Sequence, residues 1–186
     1  GASTAAILAR ARARSVGAPR AAADELGQLR EPAAIAESAA RLATLFAMRS
    51  GDAVAALAFS RAPQSLVALR SAARAAQAAG DAAREREILA AWAARSGGTE
   101  RATALARIAE LSLAVADFAA AEQALRDATL ADPDLGTLRV LRNDLMRRDP
   151  GRALTEGDEP ALVLAAKLAR DPGAATDERT FIERAR

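Results

Sequence analysis

Residues 102–133 read ATALARIAELSLAVADFAAAEQALRDATLADP. Two runs of strong helix formers meet at a break, Ala116-Asp117-Phe118. In the first run Leu105, Ile108 and Ala109 recur at three- and four-residue spacing. In the second, Ala121, Leu125 and Ala128 do the same. That spacing puts each set on one helix face, so both runs are amphipathic helices with apolar sides that can meet. Pro133 closes the second run, because proline cannot continue a helix. The stretch is therefore a helical hairpin.

Working outward, the same punctuation returns. Gly51-Asp52 and Gly80-Asp81 each pair a glycine suited to the left-handed helix end with an aspartate suited to cap the next helix. Ala116-Asp117 holds the equivalent place without the glycine, and Gly17 precedes Ala18-Pro19 at another tight break. Proline-led starts alternate with these turns at Glu31-Pro32, Ala62-Pro63 and Asp132-Pro133. The turn-to-turn intervals, Gly17 to Gly51, Gly51 to Gly80 and Gly80 to Ala116, each span about one helix pair. No stretch alternates β-branched or aromatic with polar residues, so strands are not expected. The pattern predicts an all-α protein of about 10–11 helices, at 3–16, 20–30, 33–49, 53–61, 64–79, 82–95, 99–115, 118–131, 134–148, 160–170 and 175–185.

Residues 102–133 resemble the tetratricopeptide repeat: large, small and aromatic packing residues fall at that family's spacing, with Phe118 beside the turn. The family's aromatic near the start of the first helix and its turn glycine are absent. In 66–97, Leu69, Ala73 and Gly80-Asp81 match, while Glu85 and Trp92 replace alanines; in 37–63, Ala56 and Gly51-Asp52 match; 3–32 fits loosely. The resemblance implies an α-α superhelix, a solenoid of antiparallel helix pairs over residues 1–148, with units 3–32, 37–63, 66–97 and 102–133 plus a following helix. Residues 149–186 then form a linker and a terminal helix pair, either a cap or the start of a further repeat.

Composition narrows the chemistry. Among 186 residues there are 55 alanines and no His, Cys or Tyr, and Lys167 is the single lysine. Imidazole acid–base catalysis, thiolate chemistry, Cys/His metal sites and disulfides are all excluded. No phosphate loop, dinucleotide fingerprint or zinc-protease motif occurs. We expect no enzyme, no cofactor and no metal. The net charge of +2 comes from interspersed arginine and acidic residues, a mixture unlike the segregated basic face of a nucleic-acid binder. Arg10, Arg12 and Arg14 fall on more than one helix face and read as a solvated helix. Arg84, Glu85, Arg86 and Glu87 read as a charged surface patch, and Asp132 and Asp134 as helix-cap residues. No run of about 18 apolar residues occurs, so no membrane span is expected. The opening Gly1-Ala2-Ser3 without Met reads as a trimmed end, which leaves bacterial cytoplasm and periplasm both open.

A second stripe remains on each first helix once core positions are removed: Arg41, Leu45, Met48 and Arg49; then Arg70, Arg74 and Gln77; then Thr103, Arg107 and Glu110. The resemblance implies that these positions face the concave groove and contact ligand. Arginine there suits carboxylates, which a planar guanidinium grips bidentately. The expectation is a non-catalytic scaffold holding a peptide or protein, acidic in character. The alternative is a structural, self-assembling segment of a larger bacterial multi-repeat protein, hence a homo-oligomer.

Overall fold

The computed structural model describes residues 4–29, 33–60 and 62–149. These are helical, with no strand among them: α1 (Thr4–Arg14), α2 (Pro19–Leu26), α3 (Ala33–Arg49), α4 (Ala53–Phe59), α5 (Leu66–Ala79), α6 (Ala82–Arg95), α7 (Gly98–Ala114), α8 (Phe118–Ala131) and α9 (Thr137–Arg148). The helices expected at 160–170 and 175–185, and the region from 150 on, lie outside the described residues.

Three hairpin turns share one geometry. Gly51, Gly80 and Ala116 take positive φ, at 78°, 71° and 59°. The amide of the following aspartate donates to the carbonyl five residues back in each case, Asp52 to Ala47, Asp81 to Ala76 and Asp117 to Ser112 (2.9–3.0 Å). Each turn residue donates three back, to Met48, Gln77 and Leu113. That pair of bonds satisfies carbonyls the helix end leaves without partners. The aspartate side chain then accepts from the third amide of the next helix, Ala55, Arg84 or Ala120, satisfying a donor there. The break at Gly17 differs: its φ is not positive, and Ala18 N–H donates to Arg14 at 2.8 Å.

Counted from these turns, burial repeats. Twelve residues before each stand Ala39, Ala68 and Ala104; seven before, Thr44, Ala73 and Ala109; four before, Ala47, Ala76 and Ser112; all are buried. Five after stand Ala56, Glu85 and Ala121, and nine after, Ser60, Leu89 and Leu125; these are buried too. Small residues dominate because neighbouring backbones approach closely there, which is how an alanine-rich chain reaches close packing without large anchors.

Contacts divide the chain into two compact units, Gly1–Ala104 and Leu105–Arg186, separated within α7. In the first, α1 packs on α2, α2 on α3, α3 on both α4 and α5, α4 on α5, and α5 on α6. Its core runs from Ile7 and Ala11 through Leu26 and Ala43 to Ala75. Phe59 packs over Gly27, where a Cβ would collide with the ring. In the second unit α8 packs on α9, and Arg148 donates to the Leu113 carbonyl at 3.1 Å.

Several expectations are corrected. Helix α5 begins at Leu66, two residues later than the proline predicted, because the Ser65 hydroxyl accepts the Ala68 amide and fixes the cap there. Helix α9 begins at Thr137 because Asp132 turns the chain first, its carboxylate accepting the Asp134 amide at 3.1 Å; Asp132 thus closes α8 and does not cap α9. Glu85 is not a surface residue. It occupies the interior position held elsewhere by Ala56 and Ala121. Arg84 and Glu87 do form a surface pair, at 2.6 Å.

Candidate binding surface on the first helices

The arginine-bearing stripe divides between the two units. On α3, Arg41 is half-buried, Leu45 is exposed, Met48 packs partly against the core and Arg49 is exposed. On α5, Arg74 and Gln77 are exposed. Because α3 and α5 pack on each other, the structure brings these two sets onto adjacent helices of one unit. Counted from the turns, Arg41 matches Arg70, Leu45 matches Arg74 and Met48 matches Gln77. Arg107 does not fall on this register: its counterparts are Leu42 and Ser71. Glu110 does, as the counterpart of Arg74.

Ion pairing sorts the cations. Arg70 pairs with Glu100 and lays its guanidinium over the Trp92 ring, 5.6 Å from the centroid, a cation–π contact. Its Nε and the Trp92 Nε1 are buried with no hydrogen-bond partner. Arg70 therefore ties α5 and α6 to the start of α7. On α7, in the second unit, Arg107 holds Glu110 at 2.6 Å, so both neutralise each other along one helix face. Thr103, in the first unit, donates its hydroxyl to the Thr99 carbonyl at 2.7 Å. Arg41, Arg49 and Arg74 have no ion-pair partner among the described residues. Elsewhere, Arg10 and Arg14 both grip Glu25 at 3.1 and 2.9 Å, while Arg12 between them is exposed.

Sequence reasoning did not single out Glu37. Its Oε1 accepts the amides of Gln64 and Ser65, at 2.9 and 2.7 Å, so a side chain of α3 anchors the entry to α5. The Ser65 amide above all, with the Gln64 amide, the Ser65 hydroxyl and the positive Arg95, holds this carboxyl below its ordinary value against the opposing effect of burial. Arg95 closes the arrangement by donating to the Gln64 carbonyl at 2.7 Å. A glutamate between Ala36 and Ser38 reads as solvated, and nothing local shows that amides 27 residues away need an acceptor.

Beside Glu37 opens a cavity of about 540 Å³ lined by Leu26, Leu29, Ala36, Ala40, Ala58 and Phe59 among others. A smaller lobe of about 40 Å³ adjoins it, sharing Glu37, Ala40, Phe59 and Ala62 and adding Arg41, Thr44, Ser60 and Ser71. Among the described residues no group of three or more metal-ligating side chains comes together, and no helix is long and apolar enough to cross a membrane. Set against family models, curated proteins and solved structures, the chain finds no match.

Proposed function

We propose that the chain is a non-catalytic helical-repeat scaffold of the tetratricopeptide kind, holding an acidic peptide or protein segment on the first helices of its pairs. The observation that carries this reading is the state of the cations on α3 and α5. Arg41, Arg49 and Arg74 are without acidic partners among the described residues, whereas Arg70 is consumed by Glu100 and Trp92. A guanidinium with no internal carboxylate keeps its donor fork for an external one. Exposed Leu45 stands between Arg41 and Arg49 on the same helix, able to cover an apolar side chain of the same ligand. The repeated turn geometry and the packing of α3 on α5 support the repeat reading, since first helices of successive pairs stand side by side in such scaffolds.

The experiment is titration with octaglutamate at low salt. Arg74→Glu should weaken binding at least about tenfold, the scale of one lost charge-assisted bond plus repulsion. Arg70→Gln should weaken binding little, since its charge is already paired. Equal affinity for Arg74→Glu and the parent would reject the assignment. Self-assembly is the second reading, favoured by the apolar side chains that stand in solvent at Val54, Leu130 and Val140, at 75%, 85% and 63% exposure. Sedimentation over a concentration series separates the two.

A further inference from the structure

Arg70 has its partners inside the fold, and its counterpart Arg41 does not. Both are half-buried and stand ten residues before their turns, on α5 and α3. Arg70 meets two groups: the Trp92 ring, 5.6 Å from its guanidinium carbon, and the Glu100 carboxylate. Trp92 lies twelve residues after the Gly80 turn, on the second half of α6. The same count from Gly51 gives Pro63. A proline ring in a helix collides with the carbonyl four residues before it, here that of Phe59. Accordingly α4 ends at Phe59 after seven residues, where α6 runs for fourteen. No helical turn remains to carry a ring across Arg41. Glu100 lies sixteen residues before the Ala116 turn, and the same count from Gly80 gives Gln64, exposed and uncharged. Glu37, one turn from Arg41 on α3, has its Oε1 engaged by the Gln64 and Ser65 amides. Among the described residues Arg41 therefore has neither an ion-pair partner nor a stacked ring.

We infer that the segment held on this face presents to Arg41 what Trp92 and Glu100 present to Arg70: an aromatic side chain with an acidic residue beside it. This rests on the scaffold reading and names its ligand more closely. A guanidinium donates in its own plane and stacks through its flat face, so ring and carboxylate use different parts of it and do not compete. In an extended peptide alternate side chains lie on one face, roughly 7 Å apart. That span lets one segment lay a ring over the guanidinium and set a carboxylate at its edge when a single residue separates acid and aromatic. Pro63, Ala68 and Ser71 stand around one crevice with Arg41, a border of small groups against which such a ring can rest.

The test is calorimetric titration of the full chain at low salt with octaglutamate and two relatives of it, in which one inner glutamate is replaced by tryptophan or by leucine. The tryptophan peptide should bind at least about threefold more tightly than the leucine peptide, the scale of one exposed cation–π contact. Arg41→Gln should bring the two to equal affinity while circular dichroism stays unchanged. Arg74→Glu should weaken both and leave their ratio intact. Gln64→Glu supplies beside Arg41 the carboxylate that Glu100 gives Arg70, so it should weaken both peptides at least about fivefold by competing for the same donors. Equal affinity of the tryptophan and leucine peptides, or a ratio that survives Arg41→Gln, would overturn this inference and leave the scaffold reading standing. Undiminished binding to Gln64→Glu would overturn it as well. Failure of all three peptides to bind would remove the scaffold reading and this inference together.

Discussion

At Gly80-Asp81 and at Ala116-Asp117 the chain reverses through the same hydrogen bonds, but on different residues. Both turn residues take positive φ, 71° and 59°, and both aspartates cap the following helix. Only the first is a glycine. The left-handed conformation costs an alanine roughly 1–2 kcal/mol, so the second turn is held against that cost by its surroundings. Those surroundings are the aspartate cap, the Ser112 and Leu113 carbonyls that receive the turn amides, and the buried Leu125 nine residues on. The comparison shows where the repeat is specified. Cap and core positions are kept between the two hairpins, and the glycine is the part the chain can do without.

The largest test removes the core position. Leu89 and Leu125 occupy the same place after their turns, both 2% exposed. Leu125→Ala should cost about 3 kcal/mol and Leu89→Ala a similar amount, read as shifts of the denaturation midpoint. Trp92, the sole tryptophan, follows the first unit by fluorescence, while circular dichroism follows both. A cost below about 1 kcal/mol at either site would break the equivalence. The first hairpin sharpens it: Ser60 takes that position, its hydroxyl bonded to the Leu57 carbonyl at 2.9 Å, so Ser60→Ala should be much milder.

Next in size is Ser112. It is the counterpart of Ala47 and Ala76, wholly buried, and its hydroxyl has no hydrogen-bond partner. Ser112→Ala should stabilise the second unit by about 1 kcal/mol, because a buried hydroxyl left unpaired is paid for in desolvation. Destabilisation would show that the hydroxyl has a partner in solution. The caps follow at about the same scale. Asp81→Ala and Asp117→Ala should each cost about 1 kcal/mol, and the loss at Asp117 should be the greater if the strained alanine depends on it.

The helical elements were legible because their punctuation is local. Helices α3, α6 and α8 run over 33–49, 82–95 and 118–131 as the sequence predicts, since in each the end is written by a neighbouring turn residue or cap. The start of α5 was misread because Pro63 marks a chain direction, whereas the Ser65 hydroxyl decides where hydrogen bonding begins. Exposure of Arg74 and Gln77 followed from helical spacing. The fate of Arg70 did not, because Glu100 lies thirty residues away and is brought to it only by packing. Glu37 was invisible for the same reason, as was the interior placement of Glu85, whose charged neighbours suggested a solvated face.

The smallest expected effect is also the most direct probe of the comparison: exchange of the two turn residues. Gly80→Ala places a Cβ in open space, so no neighbour is struck and only the backbone conformation is penalised. Against the left-handed cost stands the reduced freedom of the unfolded alanine chain, about 0.4–1 kcal/mol. The net loss should therefore be about half to 1 kcal/mol. Ala116→Gly runs the same cycle backwards in the second unit and should gain a similar amount. Gain and loss of matching size would mean that the two turns are energetically as well as geometrically alike. A gain near zero at Ala116, with a full loss at Gly80, would mean that the alanine turn has relaxed by other means, and that the two hairpins are alike only in their hydrogen bonds.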